Sequence, residues 1–245
     1  VDGLEAVGAC VLPFHLAPRG TQKLDVLCIG AHCDDIEIGC AATLLALQQQ
    51  HPRLRVHWLI LCSDAHRRAE ALRSARAFVR PAARGEVHVH DLPDGHLPAC
   101  FSQVKALFEE CRAALDPAWV FTHHAADRHQ DHALLSEVTW QTFRNHAIWE
   151  YEIPKYDGDL VTPNVYVPVS AELAKRKVDT LIKVFGSQHA KPWFRRENLL
   201  ALMHLRGLEC RSESGFAEAF HGRKLVFAAA TAAAKPRRAR QEAGR

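Results

Sequence analysis

The chain has 245 residues, of which 48% are hydrophobic and 24% charged, with a formal net charge of +3. That composition suits one sizeable α/β domain or two small ones, and no apolar run approaches the roughly 20 residues a membrane-spanning helix needs. The positive charge is concentrated at the end, where Lys235, Arg237, Arg238, Arg240 and Arg245 face only Glu242; residues 228–245 read as a solvated, disordered tail, and no nucleic-acid partner is expected.

Residues 1–21 lack the basic start, long apolar core and small-residue cleavage site of a secretory signal. The 8 cysteines form no C-x-x-C pair, and several sit inside apolar runs such as Val26–Ile29 and Leu59–Cys62. Buried free thiols in a reducing compartment account for them better than disulfides, so the expected location is the cytoplasm.

In chain order, Leu24–Gly30 is an apolar strand and Asp35–Gln50 has helical periodicity. A second strand, Arg55–Cys62, precedes a helix over Arg67–Arg80. A third, Glu86–Leu92, precedes a helix over Phe101–Leu115. A fourth, Ala118–Thr122, precedes a helix over Gln130–Asn145. Alternation at this interval predicts right-handed βαβ units: an α/β, Rossmann-like parallel sheet with helices on both faces. It stops near residue 148. Tyr151–Asp159 and Val161–Val169 look extended and turn-rich, Ala171–Phe185 and Arg195–Arg206 look helical, and Lys224–Phe227 is a candidate late strand. The expected organisation is a single domain over residues 1–227, with a core at about 24–145 and a C-terminal elaboration at about 148–227.

Two clusters carry the chemistry: Ala31-His32-Cys33-Asp34-Asp35 after the first strand, and His129-Gln130-Asp131-His132 after the fourth. In an open parallel sheet, ligands bind beyond the carboxyl ends of strands, so both clusters are expected on one rim. Adjacent carboxylates beside an imidazole are costly without a cation. A hydrolytic zinc takes three protein ligands and keeps a position open. His32, Asp35, His129 and His132 are four candidates, one too many, and spacing alone leaves the choice open. Asp34, next to a ligand, suits a base acting on the water that the metal polarises.

The stretch His32-Cys33-Asp34-Asp35-Ile36-Glu37-Ile38-Gly39 has the pattern H-x-D-D-x-x-x-G. With the downstream H-x-D-H it resembles the PIG-L/LmbE-like zinc-dependent N-acetylglucosamine deacetylases over about residues 24–145. Arg67-x-x-Glu70 and Leu92-Pro93-Asp94-Gly95-x-Leu97 look like further landmarks of that family. The resemblance implies an LmbE-like fold, a Zn²⁺ held by His32, Asp35 and His132, and Asp34 as general base. It makes His129 the group that stabilises the oxyanion and protonates the departing amine, with Asp131 as its orienting carboxylate. Arg67 and Asp94 become sugar-binding or structural positions. The implied reaction removes an acetyl group from an N-acetylated amino sugar or glycoconjugate.

The family commonly has proline where this chain has Cys33, which is expected to pack into the core and leave the metal alone. Residues 151–159 either cap the pocket, with Lys155 binding sugar hydroxyls or a phosphate, or form a surface hairpin turning at Asp157-Gly158. Ser187-Gln188-His189 and Lys191-Pro192-Trp193-Phe194 pose the same choice. Two rival readings are a metal-dependent phosphoesterase, which wants more bridging carboxylates than this chain offers, and a sugar-binding module without catalysis, which leaves Asp34 and His129 without a purpose.

Overall fold

Apolar residues on both faces of Leu24–Gly30 fit it only for the middle of a sheet. As β1 it lies there, buried along nearly its whole length, in a computed structural model that describes residues 24–224. Its parallel neighbours are β2 (Leu54–Cys62) and β4 (Trp119–His123). β3 (Arg84–Leu92) continues the sheet beyond β2, and β5 (Ala147–Tyr151) beyond β4, both parallel. The crossovers are α1 (Asp35–Gln50), α2 (Ala65–Phe78), α3 (Phe101–Ala114) and α4 (Gln130–Thr142), so the expected α/β alternation is present. Ile36, Leu44, Ala71 and Phe78 bring α1 and α2 into one core layer; Val104, Phe108, Leu135 and Val138 bring α3 and α4 into the other.

The strand order is β3-β2-β1-β4-β5-β7-β6. The chain leaves β1 toward β2 and β3, then returns to the opposite side of β1 with β4. That reversal is the switch point at which open α/β sheets bind ligands. The loop after β1 carries His32 to Asp34, and the loop after β4 carries His124 to His129, so both clusters meet there.

After residue 146 the structure departs from the expected pattern. The sheet is mixed: β7 (Ala217–Gly222) pairs antiparallel with β5, and β6 (Val165–Pro168) antiparallel with β7. At 224–227, where a late strand is expected, Lys224 is irregular, and residues 225–227, like the basic tail, lie outside the described residues. β6 falls within the Val161–Val169 stretch expected to be extended, whereas polar letters hid β5 and β7. Glu150 in β5 is fully buried but accepts from Trp140 Nε1 at 2.7 Å and Ser136 Oγ at 3.2 Å. Such partners make a buried carboxylate tolerable. α5 (Ala171–Val184) and α6 (Arg196–Glu209) complete the layer that holds α1. Among the described residues no helix is long and apolar enough to cross a membrane.

α1 is buried on nearly every side. A Cβ at Gly39 would stand 2.3 Å from the ring of Tyr151, whose hydroxyl donates to the Ile29 carbonyl at 2.5 Å; only glycine lets β5 and α1 approach this closely. The C-terminal elaboration grips the same helix. Glu218 of β7 accepts from the Ala42 and Thr43 N–H groups at 3.0 and 2.6 Å. Lys177 of α5 donates to the Ile38 carbonyl and to Glu218, each at 2.6 Å. Lys177 and Glu218 are both 3% exposed, so Lys177→Met would strand a carboxylate in the core. The expected loss is about 3–5 kcal/mol of unfolding free energy, read by denaturant titration; a loss under about 1 kcal/mol would show that α1 is held by packing alone.

Candidate metal centre

Asp35 opens α1, and its Oδ2 accepts the His32 N–H at 2.6 Å, which folds the loop after β1 back on itself. Around that oxygen stand His32 Nδ1 at 3.3 Å, His123 Nε2 at 3.2 Å and His132 Nε2 at 3.6 Å. His32 Nδ1 and His132 Nε2 are 3.2 Å apart. Donor atoms around a tetrahedral zinc at bond lengths of about 2.1 Å are separated by about 3.4 Å, which the triangle of His32, Asp35 and His132 matches. Among the described residues, three overlapping groups can gather around a cation: His32, His129 and His132; Asp35, His123 and His132; and His32, Asp94, His129 and Asp131. His123 has a competing duty, because its Nε2 takes the Ala31 N–H at 3.0 Å. While that bond stands, its lone pair is unavailable to a metal.

The outer groups hold the imidazoles in place. His132 Nδ1 lies 2.9 Å from Asp127 Oδ2, the carboxylate–histidine pairing that orients metal-binding rings. The other oxygen of Asp127 accepts the His129 N–H at 2.8 Å and meets Lys155 Nζ at 3.0 Å. The Asp131 carboxylate makes no hydrogen bond to the His129 ring; it accepts from Gly95 N–H at 2.7 Å and Leu97 N–H at 2.9 Å, with His32 Nε2 at 3.4 Å. These bonds recruit the turn after β3, where Gly95 takes φ +78°. The orienting function expected of Asp131 toward His129 is therefore turned toward His32 and this turn.

His129 caps α4, its Nδ1 accepting the Asp131 N–H at 3.3 Å. A ring nitrogen that accepts leaves the hydrogen on Nε2, so the neutral ring is already a donor. Burial and the neighbouring rings of His132 and His32 lower the pKa of His129, so this neutral form is favoured.

Asp34 lies beside the triangle with Oδ1 2.7 Å from Arg67 Nη2. Burial raises its pKa, with Arg67 opposing and Asp35 reinforcing the rise. Burial would raise Asp35 too, but His132, His123 and His32 outweigh it and hold this carboxyl well below the usual range. The pKa values of the two adjacent aspartates are thus pushed apart, that of Asp35 down and that of Asp34 up. Glu37 is fully buried, and burial pushes its carboxyl well up against an opposing interaction with Ser74.

The expected substrate-binding residues are placed differently from one another. Asp94 is 69% exposed, at the rim, with Oδ1 2.9 Å from His32 Nε2. Arg67 is engaged with Asp34. Lys155 is 9% exposed and held between Asp127 and Asp159, the latter at 2.5 Å, so its ammonium is engaged within the segment that carries it. Cys33 turns its sulfur to the Cys62 carbonyl at 3.5 Å, and burial pushes the thiol up to about 12; a thiol kept protonated is a poor metal ligand. Sequence reasoning passed over His123 and Asp127. The second was within reach, five residues before His132, but side-chain spacing alone does not separate it from ordinary loop polarity.

Residues 27–143 match the PIG-L family, described as GlcNAc-PI de-N-acetylase. This segment carries the motifs on which the resemblance rested. Among solved structures, the conserved protein TT1542 from Thermus thermophilus is 23% identical with a TM-score of 0.67, over 86% of this chain and 100% of that one. The N,N'-diacetylchitobiose deacetylase from Pyrococcus horikoshii is 20% identical with a TM-score of 0.62, over 81% and 83%. A 4-carboxy-2-hydroxymuconate hydratase, GalB from Pseudomonas putida, is 14% identical with a TM-score of 0.66, over 85% and 100%. Likeness at these identities shows a common LmbE-like fold and not a common reaction. No curated protein matches the chain.

Proposed function

We propose that this chain, which carries a PIG-L domain over residues 27–143, is a metal-dependent hydrolase that removes the acetyl group from an N-acetylated amino sugar or glycoconjugate. The observation that carries the reading is the triangle of His32 Nδ1, Asp35 Oδ2 and His132 Nε2, 3.2–3.6 Å on a side, with Asp34 and His129 beside it and engaged elsewhere. Two imidazoles and one carboxylate suit Zn²⁺, the metal we assign. When bound, the cation supplies Lewis acidity, polarising the amide carbonyl and acidifying a water.

The chain's own residues do the rest. Asp34 takes a proton from the water as its oxygen joins the carbonyl carbon. The Nε2–H of His129 donates to the oxyanion that develops. The carbon–nitrogen bond then breaks, and the proton held by Asp34 passes to the amine, leaving acetate. A neutral His129 thus acts as a hydrogen-bond donor, and the protonation of the amine falls to Asp34. Asp94, exposed at the rim, is placed to meet sugar hydroxyls. The described cysteines are all free, which suits a reducing, cytoplasmic setting.

The test is acetate release from a panel of N-acetyl amino sugars, free and conjugated, before and after chelation and with Zn²⁺ restored. Release that chelation stops and Zn²⁺ restores is expected. Hydrolysis of a phosphate ester instead would favour the phosphoesterase reading, and sugar binding without turnover would favour the binding module.

A further inference from the structure

The C-terminal elaboration reaches the proposed base through a chain of contacts that no step above uses. After α5, the turn at Gly186–Gln188 presents Ser187 to Glu70 of α2, which is 1% exposed. Ser187 engages both carboxylate oxygens: its N–H donates to Oε1 at 3.0 Å and its hydroxyl to Oε2 at 2.6 Å. Buried Gln188 donates in turn to the Ser187 hydroxyl at 2.9 Å, fixing the direction of that bond. Arg67, one helical turn before Glu70, keeps its Nε 3.8 Å from Glu70 Oε2 and without a hydrogen-bond partner, while its Nη2 donates to Asp34 at 2.7 Å. The exposed ring of His66 lies 3.5 Å from Glu70 Oε1.

Glu70 and Asp34 are therefore two buried carboxylates competing for one guanidinium. An unoccupied carboxylate beside an arginine takes two parallel hydrogen bonds from it, the strongest arrangement open to the pair. Glu70 does not: Ser187 donates to both of its oxygens and holds the carboxylate turned to itself, while the guanidinium is turned to Asp34. Resting on the reading of Asp34 as the base, we propose that Ser187 is a positioning residue: it keeps Glu70, the rival carboxylate, occupied, so that Arg67 is left to hold Asp34 in place. The residue that arbitrates lies outside the segment matched to the family, which gives the C-terminal elaboration a part in the chemistry beyond covering α1.

The proposal fixes the direction of four variants. Ser187 is exposed, so Ser187→Ala is expected to fold. It frees Glu70 Oε2 to draw Arg67 away from Asp34, and kcat should fall about tenfold or more, the scale of a lost charge-assisted hydrogen bond, with KM nearly unchanged. Ser187→Thr keeps the hydroxyl and should restore the rate. Glu70→Gln removes the competing charge and should turn over nearly as the unmodified protein does. The double variant Ser187→Ala/Glu70→Gln should recover most of what Ser187→Ala loses. If the turn were merely structural, the double variant would be worse than either single one, and that result overturns the proposal. Crystal structures of Ser187→Ala and of the double variant provide a readout independent of turnover. The Arg67 guanidinium should move onto Glu70 in the first and return to Asp34 in the second. A guanidinium unmoved in Ser187→Ala overturns the proposal, whereas failure of the unmodified protein to release acetate from any N-acetyl sugar counts against the deacetylase reading and leaves the two crystal structures to decide the Arg67 contest.

Discussion

Asp34→Asn is expected to fold, keep its metal and bind substrate with little change, while kcat falls by about 10²–10⁴, the range for loss of a general base. Asparagine preserves the shape of the side chain and can still accept from Arg67 at the position where Oδ1 now lies 2.7 Å away. It cannot take a proton from water. Burial holds the Asp34 carboxyl above its ordinary range, against the pull of Arg67, which brings the base closer to working pH than an exposed aspartate. Its ionised form is the active one, so activity should fall as pH drops through its pKa. His129→Ala should cost about 10²–10³ in kcat through loss of the oxyanion donor. Because His129 is already neutral when it acts, that variant should leave the acid limb where it was. The two groups serve one transition state, so the double variant should lose less than the product of the single effects. Turnover by Asp34→Asn at the unmodified rate would remove Asp34 from the mechanism.

The parallel half of the fold was legible because β1, β2 and β4 are buried on both faces and its helices end within a few residues of where periodicity placed them. β1 and α1 fall at the expected residues, and α2 starts two residues early because Asp64, not a later residue, caps it by accepting the Arg67 N–H at 2.7 Å. β5 and β7 were not legible, since Glu150, Glu218 and His221 are buried through partners elsewhere in the chain, whereas β6 falls within the Val161–Val169 stretch expected to be extended. The same distinction holds at the site. His32, Asp35 and His132 announce themselves by local spacing. The partner that orients His132, the bonds that turn Asp131 toward Gly95 and Leu97, and the contest over Arg67 depend on tertiary contacts that periodicity does not encode. Lys155 shows the reverse case: an isolated lysine in a polar loop invites a ligand, and three aspartates in the fold surround it instead.

His132→Ala should leave the chain folded but unable to retain a metal through dialysis, with acetate release at background. The substitution removes the donor that lies 3.2 Å from His32 Nδ1 and 3.6 Å from Asp35 Oδ2, leaving two protein ligands where a hydrolytic zinc uses three. Asp127→Asn should weaken metal affinity by about 10–100-fold, because Asp127 reaches the metal indirectly, through the orientation of the His132 ring. The competing donor is His123, stacked on His132 with ring centroids 3.9 Å apart and its Nε2 3.2 Å from Asp35 Oδ2. If His123 were a ligand, His132→Ala would keep most of its metal and His123→Ala would lose it. The bond from the Ala31 N–H to His123 Nε2 argues for the opposite order. Metal content of the two variants, measured by elemental analysis after identical dialysis, separates the cases: retention by His123→Ala with loss by His132→Ala supports the triangle, and the reverse moves the third ligand from α4 to the end of β4.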